Sequence, residues 1–208
     1  MNSAVQIPPP RISLATLPID QRRGIWAMWC IVATEAMLFV CMFGAYYYLG
    51  SNKDRWANEN APHLHYPLIL LAILVSSSFV LHWGEQQVKK LHLRAGEIAL
   101  WITVVLGAIF LAIQGFEYRA HWADLAPYSD SYGSIFYTIT SLHAAHVIVG
   151  LLLLIYTGIV PRFAKALRTP HKLYATVSIY WHFVDVVWIF IVLLLYIIPN
   201  FQVMHHGH

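Results

Sequence analysis

Five ionisable side chains stand inside long apolar runs: Glu35, His143, His146, His182 and Asp185. An ionisable group at membrane depth is expensive and by default marks a functional site. His182 and Asp185 are three residues apart, which places them on one helix face. They belong to the stretch Tyr180-Trp181-His182-Phe183-Val184-Asp185-Val186-Val187-Trp188, where Trp181 and Trp188, seven apart, also share a face. Glu35 has only Ile31, Val32, Leu38 and Phe39 at three and four residues' distance, so it has no partner on its own helix.

Each group has a structural reading beside the chemical one. A membrane carboxylate has to be neutral, paired or hydrated. His182 and Asp185 are therefore either a pair that fastens one helix to another or a proton site. Glu35 divides in the same way between a protonatable and a structural role. His143 and His146 resemble a ligand pair, but a metal site needs more ligands. The sequence has no His-Glu-x-x-His pattern, Cys-x-x-Cys, Gly-rich phosphate loop or nucleophile elbow. Haem ligation would need histidines set as axial pairs on two helices. Gln114 and Glu117, three apart, read as interfacial, and the tail His205-His206-Gly207-His208 as a solvated end.

These residues require long apolar elements to hold them. The chain has 208 residues, of which 59% are hydrophobic and 11% charged. Its mean hydropathy is +0.58. Soluble domains carry about a quarter charged residues, so the composition points to a membrane. The net charge of +3 is too small to suggest a nucleic-acid partner. Five apolar runs follow, at about 25–49, 67–83, 98–116, 133–160 and 173–198. Each meets or approaches the roughly 20 residues that a helix needs to cross the hydrocarbon core. The runs are continuous rather than alternating, which excludes a β-barrel. The fold class expected is an all-α membrane protein, a bundle of five transmembrane helices. Pro67 is expected in the first turn of the second helix, Pro161 to end the fourth, and Pro199 to stop the fifth. Residues 1–23, with Pro8-Pro9-Pro10, are expected to form an extended arm, and residues 200–208 a tail outside the membrane. The first run is too long for a signal peptide. Cys30 and Cys41 lie about 16 Å apart along one helix, too far for a disulfide.

Lysine and arginine set the expected orientation. Ten of the 13 lie in the N-terminal arm and in the second and fourth loops; Lys53, Arg55 and Arg119 lie on the other side. The positive-inside rule then puts the N-terminus in the cytoplasm and the C-terminus in the periplasm. Glu35 is ten residues into its run, about 15 Å deep at helical rise. His143, His146, His182 and Asp185 reach a similar level, so the five groups are expected to converge there. Trp26, Tyr47, Tyr48 and Trp101 read as interfacial belts.

The stretch Tyr180 to Trp188 closely resembles the last helix of subunit III of the haem–copper respiratory oxidases. Other segments match that family in order: Thr34-Glu35-Ala36-Met37-Leu38-Phe39, Leu111 to Tyr118, Tyr132-Gly133-Ser134-Ile135-Phe136, and His143-Ala144-Ala145-His146-Val147-Ile148-Val149-Gly150. The likeness covers nearly the whole chain from Arg23, with Ala144 standing where the family usually has Gly. The chain resembles the family's five-helix form. The resemblance implies a bacterial inner-membrane subunit with no haem or metal of its own. Haems and copper would reside in partner subunits I and II. It also implies packing beside subunit I, bound phospholipid, support of proton uptake, cytochrome c or quinol as the donor to the complex, and a possible supercomplex. Glu35 matches the family's buried glutamate. Quinol-oxidase members tend to carry Asp there, which favours the cytochrome c branch. On this reading Glu35 is neutral or bonded to a neighbouring helix, and His182 with Asp185 holds the last helix against the fourth. Trp181, Trp188, Glu117 and Arg23 are the candidates for subunit or lipid contact.

Overall fold

The computed structural model describes residues 19–51, 65–121, 131–163 and 170–198. They form five helices: α1 (Ile19–Ser51), α2 (His65–Lys89), α3 (Leu93–His121), α4 (Ser131–Phe163) and α5 (Pro170–Ile191). The chain of α5 continues without a break into a π-helical segment, Val192–Ile197. All five helices are long and apolar enough to cross a membrane. This is a multi-pass membrane protein. The expected arm at 1–23 lies outside the described residues up to position 18, and α1 already begins at Ile19. The tail at 200–208 also lies outside them.

The apolar runs locate the helices but understate their ends, because polar first and last turns extend beyond the hydrocarbon-facing part. The run at 98–116 becomes a helix from Leu93 to His121. Pro161 does not end α4, which continues to Phe163. A proline costs one backbone bond, and neighbouring hydroxyls and helices can compensate for it in a membrane. Pro161 has no N–H to give to the carbonyl of Thr157, four residues earlier, so one helix bond is lost there while the helix continues.

The corner between α2 and α3 is short and well capped. Leu91 N–H bonds Val88 O at 3.1 Å and His92 N–H bonds Gln87 O at 3.0 Å. That is the Schellman pattern, whose turning residue adopts the left-handed conformation. Leu91 does so, with φ 66°. The tight corner makes α2 and α3 antiparallel neighbours with the most extensive contact in the bundle. Gly84 and Gly96 permit the approach: a Cβ on Gly84 would run into the Tyr174 hydroxyl and Ala99, and one on Gly96 into Val88.

Helix α5 occupies the centre, touching α1, α2 and α4; α3 closes the far side against α2 and α4. Its Trp181 is fully buried. A Cβ on Gly107 of α3 would come within 2.7 Å of the indole, and one on Gly150 of α4 within 2.9 Å. The indole N–H donates to Ser77 Oγ of α2 at 3.0 Å. One side chain thus touches three other helices. Small residues at such crossings are how membrane helices gain close packing where lipid offers no hydrophobic drive. Helix α1 is peripheral. Its buried positions Met28, Val32, Phe39 and Tyr46 form one narrow stripe.

Candidate functional site

The five ionisable groups do not form one site. The structure sorts them into two hydrogen-bonded groups, with one enclosed histidine between them.

The first group joins α1 to α4. His146 Nε2 lies 3.0 Å from Glu35 Oε2, and His146 Nδ1 lies 2.8 Å from the Leu142 carbonyl. A carbonyl only accepts, so Nδ1 must carry a hydrogen. Nε2 and Oε2 then share a single proton, either as imidazolium and carboxylate or as imidazole and carboxylic acid. Both arrangements are net neutral, which meets the cost of a charge at this depth. The Glu35 side chain is 35% exposed and that of His146 12%. Phe39 packs edge-on against the His146 ring, with centroids 5.1 Å apart.

The second group joins α2 to α5. Ser78 Oγ donates to Asp185 Oδ2. The same hydroxyl lies 2.9 Å from His182 Nδ1. With its one proton on Asp185, it accepts from His182 Nδ1–H. The three-residue spacing of His182 and Asp185 thus converges on one serine. The expectation that they hold α5 against α4 is corrected: the partner is α2, because the α2 face bearing Ser78 is the one turned to them. One turn further along α2, the His82 and His182 rings stand 6.3 Å apart. Another turn on, Gln86 Nε2 lies 3.0 Å from His82 Nε2. The amide nitrogen only donates, so His82 accepts there. Lys89 and Glu85 pair at 2.6 Å at the same end of the helix. Polar side chains therefore run along α2 from its end to mid-span. Val75, Ser78, Phe79, His82, His182, Asp185, Val186 and Ile189 line a cleft of about 300 Å³ on this face.

His143 lies between the two groups and joins neither. It is 1% exposed. Its ring stacks on Trp188 at 4.9 Å and meets Phe110 edge-on at 5.9 Å. Neither ring nitrogen has a hydrogen-bond partner among the described residues. The same holds for Trp188 Nε1 and for both amide atoms of Gln114, which is 2% exposed.

Trp181 and Trp188 are both fully buried within this chain. They present no surface to lipid or to another subunit, which corrects their choice as contact candidates; their shared face is the inner one. Glu117 is partly buried in the last turns of α3. The side chain of Arg23 lies outside the described residues. Trp26, Tyr47 and Tyr48 are exposed near the ends of α1, as a belt requires. Cys30 and Cys41 are free and exposed. Among the described residues no three His, Cys, Asp or Glu side chains gather as a metal-ligand set.

Sequence reasoning missed Ser77, Ser78, His82 and Gln86. A signal was present. Ser76-Ser77-Ser78 is a polar run inside an apolar span, and Ser78, His82 and Gln86 repeat every four residues.

Residues 20–199 match the family model for cytochrome c oxidase subunit III. The chain is 36% identical over 172 residues to the cytochrome c oxidase subunit 3 of Thermostichus vulcanus, covering 81% of this chain and 84% of that one. It is 31% identical over 182 residues to that of Alkalihalophilus pseudofirmus, covering 86% and 88%. With that of Gallus gallus it shares 30% identity over 189 residues, 86% of this chain and 71% of the relative.

Proposed function

Since the chain belongs to the cytochrome c oxidase subunit III family, we propose that it is the non-redox accessory subunit of a proton-pumping terminal oxidase. It sits in a bacterial inner membrane with its N-terminus cytoplasmic and its C-terminus periplasmic. It stabilises subunit I and supports proton uptake while the complex reduces oxygen to water, with cytochrome c as the donor. Haems and copper belong to subunits I and II, and phospholipid fills the clefts at its surface.

The observation that carries this reading is the family match across all five helices. The polar layer supports it. His146 spends both nitrogens on Leu142 and Glu35. His182 Nδ1 is spent on Ser78. His143 is pressed between Trp188 and Phe110. These are the contacts of side chains that hold helices together and keep a proton in place. The lysine and arginine distribution supports the orientation.

The test is a mild-detergent purification through this chain, with mass spectrometry of the co-purifying subunits and a reduced-minus-oxidised spectrum. The expected result is a haem-bearing subunit I, a copper-site subunit II and no haem on this chain. Recovery of an oxidase without a copper-binding subunit would move the donor to quinol. Recovery of this chain alone with its own Soret band would overturn the proposal and return His143, His146 and His182 to the candidate ligands.

A further inference from the structure

We infer that α3, α4 and α5 enclose an internal water site, in which bound water bridges His143, Gln114 and the Trp188 indole N–H. The site goes beyond the accessory-subunit reading and does not depend on it. It follows from the bonding capacity of three enclosed side chains.

His143 is 1% exposed, Gln114 2% and Trp188 0%. All three stand within helices long and apolar enough to cross a membrane. Both ring nitrogens of His143, both amide atoms of Gln114 and Trp188 Nε1 have no hydrogen-bond partner among the described residues. Buried polar atoms are nearly always bonded, either to protein or to ordered water. An unmet one costs more than a made bond returns. With so little surface, these atoms meet neither lipid nor bulk solvent, so their partner has to be inside.

The three residues belong to one layer of the bundle. Phe110 meets His143 at 5.9 Å and Trp188 at 5.0 Å. Gln114 follows Phe110 by one turn, on the same face of α3. A further turn on, Tyr118 meets Tyr137 of α4 at 5.4 Å. Gln114 therefore lies between these two ring contacts, level with the stretch of α4 that carries Thr140 and His143. The Tyr118 hydroxyl approaches Gln114, Thr140 and Ser141 without reaching hydrogen-bond geometry with any of them. Polar groups that face one another beyond bonding distance are what a bridging water joins.

The set also selects its ligand. His143 and Trp188 are stacked, with 28° between their planes. A ring N–H points along its own plane, so neither ring serves the other. Trp188 only donates, a neutral His143 donates at one nitrogen and accepts at the other, and the Gln114 amide does both. A cation would need acceptors alone and an anion donors alone, and either would place a charge inside a membrane span. Water is neutral, donates and accepts, and in buried sites makes about three such bonds. It would also tie α3 to α5, two helices with little backbone contact of their own.

Cryo-electron microscopy of the purified complex that contains this chain, at a resolution that shows ordered water, tests the site. The expected result is a density peak about 2.7–3.2 Å from a Gln114 amide atom and from a His143 nitrogen. A direct Gln114–His143 hydrogen bond, or side chains closed on one another with no density between them, would overturn the inference. Gln114→Met gives a second reading that needs no map, because it keeps the bulk of the side chain and removes both amide atoms. In a dry site that exchange removes two unmet atoms, and the thermal midpoint holds or rises. In the site inferred here the water loses a partner, and the midpoint should fall by about 2–4 °C. An unchanged or higher midpoint would overturn the proposal.

Discussion

Glu35 and His146 meet across the α1–α4 contact at 3.0 Å, and the second nitrogen of His146 is already committed to the Leu142 carbonyl. The pair therefore keeps one proton between two residues 111 positions apart in the chain. It also supplies a directional contact for a helix whose buried stripe is narrow.

Glu35→Gln should preserve that contact, because an amide donates to Nε2 without needing the shared proton. Glu35→Ala should leave Nε2 without its partner, at a cost of about 1–3 kcal/mol. Thermal inactivation of the assembled oxidase compares the two. If Glu35 also serves proton uptake, Glu35→Gln should slow it while thermal stability holds. Unchanged turnover, uptake and stability in Glu35→Ala would remove any role for Glu35.

Three adjacent serines should respond differently to alanine. Ser76 donates only to the Ala72 carbonyl of its own helix, at 2.6 Å, so its loss should stay within about 0.5 kcal/mol. Ser77→Ala removes the acceptor for the buried Trp181 N–H and should cost about 1–3 kcal/mol. Ser78→Ala leaves Asp185 with no bonded oxygen among the described residues and should cost as much or more. Denaturant titration in mixed micelles ranks the three; equal effects would contradict the contacts described.

Gly107→Ala and Gly150→Ala should each push a methyl group into the Trp181 indole. Overpacking of this kind costs about 1–3 kcal/mol. Combining Gly150→Ala with Trp181→Phe should be less damaging than the sum of the two, because the smaller ring vacates the space. A double-mutant cycle on thermal stability measures that coupling, and strict additivity would show that the two residues do not press on each other.

Leu91→Gly should stabilise the protein by about 1 kcal/mol. The left-handed conformation at φ 66° costs a side-chain-bearing residue about that much and costs glycine little. A lower midpoint in the same titration would mean that the exposed leucine side chain makes a contact worth more than the strain.

The number of helices among the described residues and their rough bounds were legible in the sequence. Each follows from one-dimensional facts: the length of an apolar run, the rise of a helix, and the count of residues from its end. The family was legible too, because its motifs are local and ordered. Spacing even placed His182 and Asp185 on one face correctly.

What the sequence could not decide is which face meets which. Rotation of a helix about its axis is set by packing against neighbours, and every span here is apolar on nearly all sides. Trp181 and Trp188 therefore read as candidates for subunit or lipid contact and proved to be enclosed, Trp181 fitted between two glycines that lie on other helices. His143 and His146 read as a pair, yet one faces α1 and the other is sealed against Trp188. The partner of Asp185 is a serine 107 residues away, and no local pattern names it. Apolar length and low charge determined that five helices among the described residues are long and apolar enough to cross a membrane. The tertiary structure alone decided how its buried polar atoms pair, because a hydrogen bond depends on distance and direction between helices, and neither is encoded in spacing along one of them.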